Sequence, residues 1–408
     1  MRRPVKSENH HFGNRAFDRV EMSLLYWTIV SHDREKRKIE READDMEGQD
    51  ENKQQEKVHK RRIHYSGRYP RHFAEKYKEL NPEKYGEEIA HVRAKGNTPA
   101  GTHIPIMVEE ILAILAIKPG ERGFDATLGY GGHTMAMLEK LEGRGHLYGG
   151  DVDPIESAKT EARIRAKGYG PEIWERRLMN FCEIDKLVEE AGPFDFVLAD
   201  LGVSSMQIDN PERGFTYKSD GPLDLRLNQQ AGISAADRLR EMTQAELVGM
   251  MQENADEPYA EEIARQIVRA EKRRPIRTTR ELYAVIEAAL EKVRLQRGAD
   301  GRQPDRRDVI RKSSARVFQA LRIDVNHEYE VLYEFMEKLP FALAPGGRAA
   351  ILTFHSGEDR IVKKAFKAFH QQGIYQDIAR DVIRPSREEC YNNSRAHSTK
   401  LRWAIRAE

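Results

Sequence analysis

Apolar positions repeat with two different periods from His103 onward. IPIMVEEILAILAI spaces Ile106, Val108, Ile111, Leu112 and Leu115 along one helical face, and Pro119-Gly120 ends that helix. Short apolar runs then alternate with helical stretches: GFDATLG at 123–129, a helix from about Thr134 to Leu141, HLYGGDVD at 146–153, a helix near 154–167, a short IWERRL strand, and FDFVLAD at 194–200. Strands separated by helices pair in parallel through right-handed crossovers, which predicts an α/β fold with a doubly wound sheet.

Between about residues 210 and 310 the strand signal disappears. ISAADRLREMTQAELVGMMQ, YAEEIARQIVRAEKRR and TTRELYAVIEAALEKV predict three amphipathic helices, an all-helical domain inserted into the sheet. The α/β pattern resumes with one long helix, ARVFQALRIDVNHEYEVLYEFMEKLPFAL, then the strand PGGRAAILTF, a helix DRIVKKAFKAF and a last strand TKLRWAIRA. The expected organisation is an extension over 1–95, an α/β domain in two parts over 96–209 and 311–408, and the insert over 210–310 between them. Residues 31 to about 64 are almost all charged or amide and lack groups that could enter a core, so they read as a disordered or solvated helical arm. Lys60, Arg61, Arg62, Arg68 and Arg71, interleaved with Tyr65, Tyr69 and Phe73, suit either a solvated tether or a phosphate-tracking strip with stacking aromatics. NTPAG at 97–101 reads as a linker.

Composition narrows the picture by exclusion. Lys plus Arg number 68 against 67 Asp plus Glu, so a nucleic-acid partner rests on local clusters, not on net charge. Only Cys182 and Cys390 occur, without the spacing of a zinc site, so neither a disulfide framework nor a metal is expected. No run of about 18 apolar residues occurs and the start lacks a signal-peptide core, so the expected location is cytoplasmic, with no membrane partner.

The candidate chemistry gathers where the predicted strands end. Asp125-Ala126-Thr127-Leu128-Gly129-Tyr130-Gly131-Gly132-His133 joins the first strand to its helix, and glycines there let backbone amides approach an anionic group. This is neither the GxGxxG of a dinucleotide fold nor a Walker loop. The next strand ends in Asp151, placed to take both hydroxyls of a ribose or, alternatively, to cap the helix starting at Pro154. The fourth strand ends in Asp200, followed by Gly202, Ser204, Ser205 and Gln207 at the carboxyl edge, where open α/β sheets bind ligands. After the fifth strand come His355, Ser356, Glu358, Asp359 and Arg360, either a helix start capped by Ser356 or part of the site. Arg213, Lys218, Arg226, Lys272, Arg273, Arg274, Arg277 and Arg280 in the insert are cations for folded RNA or simply solvated helix faces.

DLGVSSMQIDNPERGFTYKSDGPLDLRL at 200–227, VFQALRIDVNHE at 317–328, APGGRAAILTFHSGEDRIVK at 344–363 and TKLR at 399–402 resemble the ribosomal small-subunit cytosine-N4 methyltransferase family, called RsmH or MraW. The resemblance covers roughly residues 103–406. It implies a Rossmann-like methyltransferase sheet, S-adenosyl-L-methionine as cofactor, and ribosomal RNA or the small ribosomal subunit as partner, with a homodimer left open. It places the methionine part of the cofactor at Gly131, Gly132 and His133, its ribose at Asp151, its adenine near Phe181, and the fourth-strand acid and glutamine at Asp200 and Gln207. Phe181 as plain core and Gln207 as a loop hydrogen-bonder are the plainer readings.

An exocyclic cytosine amine has its lone pair delocalised into the ring, so an acceptor on its hydrogens should help localise that pair. Asp200 is the first candidate acceptor, with Ser204 and Ser205 behind it, and His355 is a candidate contact to the base or phosphate. The chain departs from the family at Gly357, where the family has Leu. It also departs at Lys312-Ser313-Ser314-Ala315-Arg316, at Asn254-Ala255-Asp256-Glu257 and at Arg395-Ala396-His397-Ser398. These changes spare the cofactor turn and are expected on target-facing parts. A methyltransferase of another RNA and a silent RNA-binding assembly factor are the rival readings, and the retained glycines and acids speak against the second.

Overall fold

The computed structural model describes residues 105–295 and 303–408. The charged arm, its Lys60 to Phe73 strip and the 97–101 linker lie outside the described residues.

In chain order the elements are α1 (Val108–Leu115), β1 (Arg122–Asp125), α2 (Gly132–Leu141), β2 (His146–Asp151), α3 (Pro154–Ala166), β3 (Trp174–Leu178), α4 (Ile184–Ala191), β4 (Phe194–Asp200) and α5 (Ser205–Asp209). Four helices follow: α6 (Ala235–Glu241), α7 (Gln244–Ala255), α8 (Ala260–Glu271) and α9 (Thr279–Glu291). The chain closes with α10 (Arg306–Val325), α11 (Glu328–Ala342), β5 (Leu343–Thr353), α12 (Ser356–Gln371), β6 (Tyr375–Ile378), α13 (Arg387–Asn392) and β7 (Lys400–Arg406). The strands form one seven-stranded sheet in the order β3-β2-β1-β4-β5-β7-β6. β1 to β5 pair in parallel as expected, whereas β7 runs antiparallel to both β5 and β6. No described helix is long and apolar enough to cross a membrane.

Both faces of the sheet are covered, which is why its central strands read as continuous apolar runs. Along β4, Val197 and Ala199 pack with α4, α11 and α12 on one side, while Phe196 and Leu198 pack with α1 and α2 on the other. A third apolar cluster is separate, running from Phe215 through α6 to α9 and on to Leu321 in α10. The sheet strands therefore present their carboxyl ends beside a helical body with its own core.

Two expected helices are broken. Thr243 caps α7 with a reciprocal Thr243 and Glu246 capping box, so the stretch predicted as one helix turns at Met242. The long helix ends at Asn326, and His327 takes a left-handed conformation (φ 51°) before α11 begins. Helices α6 and α7 cover the same cluster, whereas α10 packs into the core of the insert and α11 against the sheet, so the second break passes the apolar stripe from one core to the other.

Candidate active site

A single cleft of about 830 Å³ runs from the glycine turn after β1 to the helical insert, and its wall includes Gly131, Asp151, Phe181, Asp200, Phe318 and Asn326. It also includes His133, Ser204, Gln207 and His355, so the sequence-predicted site residues do come together.

The glycine turn is shaped first by packing. Gly131 is left-handed (φ 81°), and a Cβ there would lie 2.7 Å from Thr160 Cγ2 of α3. A Cβ on Gly132 would lie 2.8 Å from Pro105 Cγ. The Thr160 hydroxyl donates to the Gly129 carbonyl at 2.5 Å, and Arg163 donates to the Tyr130 carbonyl while lying 3.6 Å over the Tyr130 ring. Helix α3 thus fixes the turn from behind, which leaves its other side to the cleft.

Three aspartates end the first, second and fourth strands. Asp125 is fully buried, accepts from the Thr134 hydroxyl at 2.5 Å, and is pushed up in pKa by that burial. Asp151 accepts the backbone N–H of Gly129 and of Asp153, both at 2.8 Å. Burial raises its pKa to about 6 against the pull of those two donors. Each oxygen retains a lone pair, so both can still accept a ligand hydroxyl. Asp151 does not cap α3; Asp153 does, accepting from the N–H groups of Ile155 and Glu156.

Asp200 is the acid with an oxygen to spare. Its N–H donates to the Thr127 hydroxyl at 2.6 Å, its Oδ2 lies 3.4 Å from His133 Nε2, and its buried Oδ1 has no hydrogen-bond partner among the described residues. A buried acceptor without a donor is costly unless a ligand supplies one.

Several candidates serve the frame instead. Ser204 Oγ accepts the Gln207 N–H while Gln207 Oε1 accepts the Ser204 N–H, a capping box on α5. The Ser204 oxygen and the Gln207 amide are therefore engaged in holding the loop. Gln207 also reaches Asp153 at 3.4 Å. Phe181 packs edge-on against Phe335 at 5.1 Å and also lines the cleft, so core and wall roles coincide.

The cap of α12 is His355, not Ser356. Its Nδ1 accepts the Glu358 N–H at 3.4 Å, and Glu358 accepts from the N–H groups of Phe354 and His355. Burial raises Glu358, but His355, Arg322 and these amides outweigh it and hold its carboxyl below the usual range. Glu328, His355 and Glu358 gather within 4.8 Å, yet Arg322 grips Glu328 with two contacts of 2.8 Å, which makes the group an ion-pair cluster. Asp359 pairs with Lys400 and Arg402, which accounts for the TKLR tail as structure.

Two expected RNA cations are also engaged. Arg213 is buried against Asp153 at 2.6 Å, and Arg226 forks onto Asp224. Lys272, Arg273, Arg274, Arg277 and Arg280 are exposed, with Arg274 paired to Glu281 at 2.9 Å.

Three of the four departures from the family meet one another in space, while Arg395 of the fourth pairs with Asp209. A Cβ on Gly357 would lie 1.9 Å from the Tyr329 hydroxyl oxygen, so the family's Leu has no room beside this tyrosine. The same hydroxyl donates to the Asn254 carbonyl at 3.3 Å. Ser313 donates to the buried Glu257 at 2.8 Å, and Arg316 stands 3.7 Å from that carboxylate. Ser313 and Ser314 are fully buried and make interior contacts, contrary to the expectation for those two positions, whereas Ala315, Arg395 and Ser398 line the cleft.

Asp153, Arg213, Thr127 and Asn326 were not singled out as site supports. Asp153-Pro154 carried a legible signal, an Asp immediately before a helix-starting Pro. The others become visible only through contacts across more than 50 residues.

The MraW methylase family matches residues 100–407. Ribosomal RNA small subunit methyltransferase H 1 of Agathobacter rectalis is 63% identical over 355 residues, 87% of this chain and 99% of that protein. The protein of the same name in Lachnoclostridium phytofermentans is 59% identical, covering 86% and 94%. Ribosomal RNA small subunit methyltransferase H 2 of Alkaliphilus metalliredigens is 56% identical, covering 86% and 99%.

Proposed function

The chain belongs to the MraW methylase family, and from that footing we propose that it transfers a methyl group to the exocyclic N4 amine of a cytidine in 16S ribosomal RNA of the small subunit. The observation that carries this reading is the partnerless Asp200 oxygen beside the glycine turn and Asp151 in one cleft.

The residues fit the family's cofactor. A cleft of about 830 Å³ is roomy enough for a nucleoside cofactor and a flipped base together. Asp151 takes the ribose hydroxyls, Phe181 stands against the adenine, and the Gly131 to His133 turn meets the methionine part. S-adenosyl-L-methionine, when bound, would supply an activated methyl group, its sulfur–methyl bond breaking to leave S-adenosylhomocysteine, so the protein contributes mainly alignment.

Asp200 then acts on the nucleophile. Its free Oδ1 accepts a hydrogen of the amine, drawing the lone pair out of the ring, and takes that proton as the new C–N bond forms. The Thr127 hydroxyl holds the Asp200 backbone, and His133 steadies the other oxygen. Ser204 and His355 act by positioning, since both cap helices that line the cleft. Arg273, Arg277 and Arg280 offer exposed charge to RNA phosphates. Such an enzyme works in the cytoplasm.

Mass spectrometry of ribosomal RNA from cells with and without the gene tests the proposal. Loss of one N4-methylated cytidine in 16S RNA is expected. Unchanged ribosomal RNA beside a lost methyl group in another RNA would move the enzyme to that substrate.

A further inference from the structure

Behind the cleft a polar chain joins the ribose-side acid to the wall of the insert. Asp151 Oδ1 accepts the Asp153 N–H at 2.8 Å, and Asp153 Oδ2 meets Arg213 Nη1 at 2.6 Å with both side chains buried. Arg213 Nη2 donates to the Arg226 carbonyl at 3.3 Å and the Leu227 carbonyl at 2.7 Å. Asn326 grips the same stretch from the other side, accepting the Leu227 N–H and donating to the Leu225 carbonyl, both at 2.8 Å. Leu225, Arg226 and Leu227 line the cleft, whereas Arg213 and Asp153 do not.

The clamped stretch is strained. Leu225 is a buried non-glycine residue at φ 63°, a conformation that persists only where its surroundings impose it. Arg213 supplies part of that constraint twice, through its guanidinium and through its carbonyl, which accepts the Leu225 N–H at 3.2 Å. Its buried Nε has no hydrogen-bond partner among the described residues, where the guanidinium is held by Asp153 and the two carbonyls.

We propose that Arg213 is a positioning residue that couples cofactor occupancy to the base-facing wall Leu225 to Leu227. A ligand on Asp151 orders the Asp151 to Asp153 turn, Asp153 fixes the guanidinium, and the guanidinium fixes the strained wall. The inference rests on the cofactor reading of Asp151 given above. Coupling of this kind is reciprocal, so an RNA base against the wall also favours cofactor binding.

Hydrogen exchange of the full chain with and without S-adenosylhomocysteine tests it, with calorimetry reporting whether that ligand binds. In the parent protein the ligand should slow exchange at Leu225 to Leu227 by about five-fold or more, the lower end of ordinary coupling between sites. Arg213→Lys keeps a charge for Asp153 but loses the fork onto the two carbonyls. It should bind the ligand within about three-fold of the parent while the protection ratio falls below about two-fold. A residue of merely structural importance would speed exchange equally in both states and leave the ratio unchanged. Should Arg213→Lys fail to fold, Asn326→Asp, which removes the donor to the Leu225 carbonyl, should lose the ratio in the same way. Ligand binding without protection in the parent, or full protection in the variants, overturns the coupling alone. No binding at all removes the cofactor reading and the coupling with it.

Discussion

At the sheet edge, Asp125, Asp151 and Asp200 are drawn together without an Arg or Lys ion-pair partner among the described residues, and burial raises the first two in pKa. In the insert and its junctions Asp224 is matched to Arg226 and the half-buried Asp324 to Arg238, whereas buried Glu257 takes the Ser313 hydroxyl with Arg316 at 3.7 Å and is still raised in pKa by burial. Both arrangements put charge out of water, but they leave different things undone. A matched pair is complete and sets shape, whereas an acid that lacks a cation is stabilised by whatever donor arrives. The edge of the sheet leaves carboxylate oxygens open on the cleft wall, and the insert's ion pairs hold the wall opposite.

That contrast breaks most readily at Asp200. Asp200→Asn keeps the shape but removes the negative charge and the base that takes the amine proton, so the single-turnover methylation rate should drop by about 10²–10⁴-fold. Binding of small ribosomal subunits should stay within about three-fold; equal losses in rate and binding would make Asp200 a binding residue.

Asp151 comes next. Asp151→Ala should weaken S-adenosylhomocysteine binding about ten-fold or more, a loss of roughly 1.5–3 kcal/mol for hydrogen bonds to a charged group. Its carboxyl titrates near 6 in the free protein, and ribose hydroxyls donate to the ionised form. Affinity should therefore fall as pH drops through 6 and be about ten-fold weaker at pH 5 than at pH 7.5. The sign for folding is opposite: a raised folded pKa means the native state binds more protons between about 4 and 6, so this group makes the free protein more stable as pH falls through that window. From pH 7.5 to pH 5 the ligand affinity of the parent should fall in calorimetry, while the stability of the parent relative to Asp151→Ala should rise in denaturant titration.

The junction between the regions can be probed at Gly357. Gly357→Ala forces a Cβ into the Tyr329 hydroxyl and should cost about 1–3 kcal/mol in denaturant unfolding. In a Tyr329→Ala background the cost should fall below about 1 kcal/mol, and simple additivity would show that the two side chains are not competing for that space.

The smallest expected change concerns the outer face of the insert. Replacing Arg273, Arg274 and Arg277 by Gln should flatten the salt dependence of subunit binding by up to about one unit per lost phosphate contact, with Arg274 contributing least because Glu281 already holds it. Ligand binding at Asp151 should be untouched. An unchanged salt slope would move the RNA surface elsewhere.

Much of this was legible before any fold was known. The two periods of apolar residues marked the α/β halves and the helices between them, and Asp125, Asp151 and Asp200 could be placed at one sheet edge because each closes a strand. The breaks at Thr243 and Asn326 were harder to read, since the apolar pattern runs on across both and only the caps betray them. His355 as the α12 cap was missed because a histidine is an uncommon cap and Ser356 stood beside it as a better one.

What the sequence determined by itself is what neighbours within a few residues decide: period, turn chemistry and the strand end on which each acid sits. Which acid meets a cation was decided only by tertiary structure. Arg213 and Arg226 look alike in the chain, as exposed cations of an insert, yet one closes on Asp153 from 60 residues away and the other on Asp224 from two. Asp200 looks like Asp153, yet only Asp153 is brought against a guanidinium. Burial raises the strength of every such encounter and the cost of every missed one, so the partners that chain topology brings into the dry interior, and those it leaves out, turn one aspartate into a strut and leave the other as an open acceptor on the cleft wall.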